Sequence, residues 1–520
     1  MPIINKYLND SLNIIAQVNS KKIVNLQVGK SKNHAINSRL AYFEYHDNKY
    51  KLTYKTLLPI GSQNNKELEI RNNSEIQLTQ LRTKKNIRLY TEGTNLLHRN
   101  ISIPGFENPS FSNGRLKKYI ISEITSISTQ KKVFYKEERF YRALIPLQAD
   151  DSLSGNFTGW GYSIDNKLYS ETLMKLKISN IDIDFYTLKK GKESFFIIDA
   201  NQRMHYKKFL EFVNSILLSY AVLKGKYHGT KTYILSFKNK EFTTPSSLKT
   251  IMLAGGDNAG LLVHTTNPYV VQKHKDQEKI IYDKSGKIIG TKQHLNKYMV
   301  EFPEKNFSLL CELIKSNDGI LRSVILLVNN NSTSLEMKIP IFFVALENIT
   351  RVLAPKSEIP QLINDPKIKD EIDKAVDELK KKVKKVKKEN RPQNLSPELA
   401  KEYNSNFERV LTKFSNYNYA TNNKKLIDPF SIYGYKLTSE EEKLILVDRN
   451  KFLHGENFSS FTLDYEYEFK ELFHIGLKLQ KLITILLLKA SGFKGYILNN
   501  PKIYDYISKK NLKESEFIKI

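Results

Sequence analysis

One stretch decides how the C-terminal part of this chain folds, and it reads Val447-Asp448-Arg449-Asn450-Lys451-Phe452-Leu453-His454-Gly455-Glu456. The residues upstream are typical of a helix start, because a Ser or Thr cap followed by acids satisfies free backbone amides: Thr438-Ser439-Glu440-Glu441-Glu442. An apolar run follows, so the sequence predicts that the polar residues of the stretch lie at the C-terminal end of one helix. A glycine after the last helical residue favours termination there. The His454 imidazole is therefore expected at the accessible end of the helix rather than inside a packed core.

The spacing predicts which of these side chains meet. Asn450 and His454 are four positions apart and share a helical face. Arg449 lies about 140° from His454 around an ideal helix, so it reaches the same place only through its long side chain.

These groups suit the cutting of RNA by its own 2′-hydroxyl, a reaction that needs no metal. His454 supplies a proton donor or acceptor that titrates near neutrality. Arg449 supplies a positive fork for the phosphorane, and Asn450 can orient either group. One histidine cannot easily be both acid and base. Two copies of the motif facing each other across a two-fold axis supply both, so the chemistry favours a dimer.

The segment from Arg449 to His454 resembles the R-x4-6-H motif of HEPN domains, in its R-N-x-x-x-H-G form. Its surroundings are similar to the ApeA-like branch of that family. An acid-then-apolar helix precedes the motif, an apolar helix over Phe469 to Leu488 follows it, and the segment closes in Ala490-Ser491-Gly492-Phe493-Lys494-Gly495-Tyr496. The resemblance covers roughly residues 306–520 and is strongest over 438–497.

The resemblance implies a metal-independent endoribonuclease that needs no cofactor, acts on RNA and works as a homodimer or higher homo-oligomer. Proteins of this family often act in abortive infection, in which a bacterium stops translation once a phage is sensed. The resemblance therefore also implies a phage-derived trigger. Carried over by motif, His454 is the general acid/base, Arg449 the phosphate stabiliser and Asn450 the orienting residue. Glu347, in the looser match Phe342-Phe343-Val344-Ala345-Leu346-Glu347, is carried over only weakly.

Two other interpretations of the motif stay open. In the first, Arg449 and His454 are helix-end residues that bind backbone carbonyls. In the second, the chain has a HEPN-like domain without ribonuclease activity. It is then a non-catalytic protein that uses the bundle to bind RNA or to dimerise.

The N-terminal part has a different pattern. Up to about residue 305, short alternating or β-branched runs are broken by Gly, Asn, Asp and Pro, which is typical of antiparallel strands. One helical exception is expected from Tyr206 to Leu223. The sequence therefore predicts an α+β chain. Residues 1–305 form a β-rich sensing or regulatory region, in one or two parts, and residues 306–520 form an all-α helical bundle.

One helix of the bundle is expected over Lys367 to Glu389, where apolar residues step by three or four. Its C-terminal half is rich in lysine, which favours either contact with phosphates or, more simply, a solvated face. The lysines that are candidates for RNA contact, with one from the motif, are Lys380, Lys381, Lys384, Lys385, Lys388 and Lys451.

Composition limits the class of protein. The net charge of +27 fits a polyanionic partner, but an AT-rich genome would also enrich lysine, so both explanations remain. The single cysteine, Cys311, excludes an internal disulfide framework and a Cys-based zinc site, which fits a reducing compartment. No basic-then-apolar leader is visible, and the longest apolar runs are too short to cross a bilayer. A cytoplasmic protein without a membrane partner is expected.

Overall fold

The structure is a computed structural model. It describes residues 8–20, 22–28, 40–46, 49–56, 76–80, 88–95, 118–129, 137–147, 151–154, 156–164, 167–191, 193–225, 227–229, 231–251, 253, 280–282, 288–291, 301–330, 333–354, 363, 365–392, 396–415, 417–418, 422–454 and 465–520. The chain folds into two compact units. Unit 1 comprises Met1–Thr333, Ser491–Tyr506 and Lys510–Ile520, and unit 2 comprises Ser334–Ala490 and Ile507–Lys509.

Unit 1 begins with a helix and six antiparallel strands whose pairings close on themselves. Strand β3 pairs with both β2 and β6, so the order β1-β2-β3-β6-β5-β4 returns to β1. The bounds are α1 Asn9–Asn19, β1 Lys22–Val28, β2 Leu40–His46, β3 Lys49–Thr56, β4 Ile76–Gln80, β5 Arg88–Asn95 and β6 Lys118–Ser128.

A second run of seven strands continues from β6 in the order β13-β12-β7-β11-β10-β9-β8, with antiparallel neighbours. The bounds are β7 Phe140–Leu147, β8 Trp160–Ile164, β9 Lys167–Ile178, β10 Ile181–Lys190, β11 Glu193–Ala200, β12 Thr232–Phe237 and β13 Pro245–Ile251. Most described residues of its central strands are buried on both faces. In β11 the four consecutive residues Phe195 to Ile198 are buried, so this strand does not alternate apolar with polar residues.

Three helices of unit 1 are α2 Tyr206–Lys224, α3 Glu304–Ser316 and α4 Asp318–Asn329. Helices α2 and α3 cover one face of the sheet through aromatic side chains. The Phe196 ring meets Tyr220 of α2, and the Phe185 ring meets Phe307 of α3. A cluster on the opposite face includes Leu12 of α1. The remaining strands are β14 Ile280–Tyr282, β15 Ile288–Thr291, β16 Tyr496–Leu498 and β17 Phe517–Lys519, and two short helices are α12 Asn500–Ile503 and α13 Asp505–Ser508.

Unit 2 is helical. Its elements are α5 Leu335–Leu353, α6 Pro366–Glu389, α7 Pro397–Ser415, α8 Asn422–Ile432, α9 Ser439–Lys443, a π-helical turn Leu444–Asp448, α10 Arg449–His454 and α11 Tyr465–Ala490. Helices α5 and α11 pack together along apolar faces, and α8 also packs on α5.

The predicted α+β class is confirmed: a β-rich N-terminal part precedes a helical part. The predicted division at residues 305 and 306 falls next to the start of α3, whereas the compact units divide at Thr333 and Ser334. The predicted all-α bundle over residues 306–520 is wrong at its C-terminal end, because strands β16 and β17 pair there and belong to unit 1. Unit 1 is held by interactions between residues distant in sequence, such as the Phe302–Phe493 ring stack, which local periodicity does not reveal. Among the described residues, every helix falls short of the length and apolar character that crossing a membrane requires.

Candidate functional site

A buried ion pair fixes the start of the segment that carries the motif. Thr438 and Glu441 form a reciprocal capping box at the first turn of α9. The Glu441 carboxylate also lies 2.8 Å from the Lys481 ammonium on α11, and both side chains are almost fully buried. Tyr435 donates a further hydrogen bond to the same carboxylate at 3.1 Å.

Two opposing effects set the pKa of Glu441. Burial on its own would raise the pKa of this carboxyl. The charge and hydrogen bond of Lys481, with hydrogen bonds from the Thr438 backbone and Tyr435, outweigh burial and hold the pKa below its usual value. Glu441 is therefore ionised at neutral pH, and its charge ties α9 to α11.

The motif follows a π-helical turn. Residues Leu444–Asp448 form this turn, and the Arg449 backbone N–H bonds the Leu444 carbonyl five residues back. The extra residue in such a turn rotates the side chains that follow relative to a regular helix, and π turns are frequent at functional sites. The apolar periodicity and the cap that predicted the helix gave no sign of this turn.

Arg449 is held by two partners on its guanidinium. One terminal nitrogen forms an ion pair with Glu347 of α5, and the other donates to the Asn450 side-chain oxygen at 3.0 Å. The Nε atom is buried and has no hydrogen-bond partner among the described residues. Burial lowers the pKa of Arg449 from its ordinary value. The side chain of arginine nevertheless remains protonated at neutral pH.

Helix packing brings Glu347 to the motif. The Phe343 ring, one turn before Glu347, contacts the Phe452 ring with centroids 5.6 Å apart. This contact places the polar face of α5 beside the first turn of α10. The structure thus joins Arg449, Asn450 and Glu347, and the weakly matched Glu347 has a direct contact with the motif.

His454 is the last residue of α10, four positions after Asn450 in the same helix. Its side chain, together with Gly455 and Glu456, lies outside the described residues. The backbone of α10 places Asn450 and His454 about one turn apart on one helical face.

The candidate RNA-contacting lysines divide into two groups. Lys380 lies 3.4 Å from Asp377, Lys385 lies 3.7 Å from Glu389, and Lys451 lies 3.9 Å from Asp448. Lys381, Lys384 and Lys388 are exposed on α6, and no ion pair joins them to another described residue.

Within the described ranges, no three His, Cys, Asp or Glu side chains are grouped so that they could hold a metal ion. His474 of α11 is buried. Comparison of the chain with protein-family models, with curated proteins and with solved structures finds no match.

Proposed function

We propose that this chain is a metal-independent endoribonuclease of the HEPN type. The observation that carries the proposal is the half-buried guanidinium of Arg449. It is held by Glu347 and Asn450 at the start of the helix that ends, one turn after Asn450, in His454. An arginine whose position is fixed before substrate arrives stabilises developing phosphorane charge without reorganisation.

The proposed reaction is transesterification within RNA. The 2′-hydroxyl loses its proton to one imidazole and attacks the adjacent phosphorus, while the 5′-oxygen leaves and takes a proton from a second imidazole. The products carry a cyclic phosphate and a free 5′-hydroxyl. His454 acts in both roles through two copies of the chain, Arg449 binds the non-bridging oxygens, and Asn450 orients Arg449 through its side-chain oxygen.

The proposed setting is abortive infection in the cytoplasm of a bacterium. The enzyme cuts tRNA or another RNA of translation when the β-rich unit is triggered by a phage component. The excess of basic residues supports an RNA substrate, since each phosphate neutralised releases condensed counterions.

The deciding experiment incubates the purified chain with total RNA and with tRNA beside the His454→Ala variant. We expect cleavage by the wild type, unchanged by EDTA, with cyclic phosphate ends, and a loss of about 100-fold or more in the variant. His205→Ala is the matched control, because His205 is an exposed histidine of unit 1. Equal cleavage by wild type and His454→Ala would contradict the proposal.

The second candidate function is a non-catalytic protein that uses the bundle to bind RNA or to dimerise. The Arg449–Glu347 ion pair favours this candidate. An ion pair between two packed helices can have a purely structural role, with no substrate bound by its guanidinium. The two candidates differ in cells. Overexpression toxicity that disappears in His454→Ala supports the nuclease, and toxicity that persists supports the binding protein.

A further inference from the structure

Helices α6 and α7 form an antiparallel hairpin held by hydrogen bonds and an ion pair at its two ends. Near the end of α6, the Tyr403 hydroxyl donates to the Lys387 carbonyl at 3.0 Å, and the Lys387 ammonium lies 3.1 Å from Glu408. Near the start of α6, the Tyr417 hydroxyl donates to Asp373 at 2.6 Å. The start of one helix therefore lies beside the end of the other. Between these ends, Val376 of α6 and Leu411 of α7 are buried.

The hairpin leaves part of its apolar surface in contact with water. Five aliphatic side chains are between 40% and 54% exposed, and these are Ile368, Leu379 and Val386 on α6 with Leu399 and Val410 on α7. We call these five residues the hairpin face. A row of exposed aliphatic side chains on one surface marks an interaction site more often than scattered single ones do.

Helical geometry places the hairpin face on one side. Ile368 and Val386 are 18 positions apart in α6, about five full turns, so they point the same way about 27 Å apart. Leu379 lies within about 20° of the same direction. On α7, Leu399 and Val410 are likewise about 20° apart in direction, beside the buried seam. In an antiparallel pair of right-handed helices, these two rows flank the seam on the same side.

We infer that the hairpin face binds the hairpin face of a second copy of this chain, with the two α6 helices antiparallel. The charges of α6 support this choice of partner. Its first half, Pro366–Asp377, carries four acids and three lysines, and its second half, Glu378–Glu389, carries two acids and seven lysines. An antiparallel arrangement keeps the two lysine-rich halves apart, whereas a parallel one sets them against each other.

The spacing also suits a two-fold axis near the middle of α6. Ile368 of one copy then lies opposite Val386 of the other, and Glu371 lies next to Lys382. Glu371 and Lys382 both border the apolar row by helical direction, and neither has an ion pair with another described residue. The inference rests on the hairpin and not on the motif, so it stands or falls separately from the nuclease proposal.

The test measures molar mass by light scattering after size exclusion, with nuclease-treated protein over a concentration series. We expect twice the chain mass of 60.4 kDa for the wild type. We also expect at least about a tenfold weaker dimer for Leu379→Glu. Leu309→Glu is the matched control, because Leu309 on α3 is a leucine of similar exposure. A monomeric wild type, or a Leu379→Glu dimer as tight as the control, overturns the inference.

A charge exchange tests the antiparallel arrangement without touching an apolar residue. Glu371→Lys is expected to weaken the dimer, because it sets lysine against Lys382 of the mate. The double variant with Glu371→Lys and Lys382→Glu is expected to restore it. Failure of the double variant to regain the wild-type dimer constant overturns the arrangement, as does a mass increase that appears only when RNA is added.

Discussion

The Arg449 side chain is held by two neighbouring side chains and still has N–H donors available to a phosphate. A guanidinium has five N–H donors in a fixed fork, so contacts with Glu347 and Asn450 leave donors for a phosphate. Lysine keeps the charge, but a single ammonium cannot serve both partners and the phosphate in one plane. We expect Arg449→Lys to lower the rate of RNA cleavage by about 100-fold or more, measured as kcat/KM on a short labelled RNA.

Arg351→Lys is the control for this change. Arg351 lies on α5, is exposed and donates only to Asn348 among the hydrogen bonds found for it. Its substitution removes the same donors at a place where no phosphate is expected. If Arg449→Lys cut RNA as fast as Arg351→Lys, Arg449 would have no role beyond carrying charge.

Glu347 is expected to have two opposing effects on RNA cleavage. Its carboxylate fixes the guanidinium, but its negative charge also opposes the approach of a phosphate. Glu347→Gln should therefore lower KM by a few-fold and lower kcat by about tenfold, since the charge is lost and the positioning is weakened. Steady-state kinetics at two salt concentrations separate the parameters, and the effect on KM should shrink at high salt.

Glu336→Gln provides the comparison on the same helix. Glu336 is exposed in the first turn of α5, so it tests whether any loss of negative charge on α5 lowers KM. A change in KM of equal size in both variants would argue against a specific contact of Glu347 with the reacting site.

At the scale of elements, the Glu441–Lys481 pair sets how firmly the motif segment is anchored. Glu441→Gln leaves the Lys481 ammonium buried without its counter-charge, and such a loss costs about 3 kcal/mol in the free energy of unfolding. The folded-state pKa of Glu441 lies below its unfolded value. Its stabilising effect is therefore present above about pH 4.3 and is lost as the pH falls through the folded pKa.

Urea unfolding at pH 7, 5 and 3 measures this linkage, with Glu442→Gln as the control. Glu442 is an exposed acid in the same first turn of α9, so its loss is expected to change the free energy of unfolding by only about 0.5 kcal/mol. We expect Glu441→Gln to lose less stability than the wild type between pH 5 and pH 3. Parallel pH curves for both proteins would show that Glu441 does not carry the acid sensitivity.

The elements that the sequence predicted well are those whose signals are local. The stripe of apolar residues placed α6 to within a residue, and the Thr438 cap placed the start of α9. Helical spacing around Phe209 and Phe212 identified α2 inside a β-rich region. In each case successive deciding residues lie about one turn apart, so the pattern is contained in a local stretch of the chain.

Other features depend on contacts between distant residues or on backbone adjustment. The closing pair of β3 with β6 joins Tyr50 to Ile124, and no local spacing encodes that choice. The π turn before Arg449 adds one residue to a helix without a distinctive composition. Glu347 was only loosely suggested because its partner, Arg449, lies far along the chain. These features follow from packing, which sequence periodicity does not determine.

At the scale of the whole molecule, the proposed chemistry needs two imidazoles while each chain supplies one His454 in its motif. The hairpin face offers a way for two chains to associate, but a composite active site is a separate claim. Loss of the dimer in Leu379→Glu with loss of cleavage would connect the two claims. Retained cleavage by a monomer would separate them.

The composite site itself predicts how inactive chains affect active ones. Mixing wild-type chains with an excess of His454→Ala chains, under conditions of subunit exchange, should lower cleavage per wild-type chain at least tenfold, because most wild-type chains then lack a second imidazole. The same excess of a non-interacting carrier protein should leave cleavage unchanged. Cleavage that stays proportional to the amount of wild-type chain would mean that each chain cuts RNA with its own groups, and the second proton-transfer group would then have to be sought within one copy.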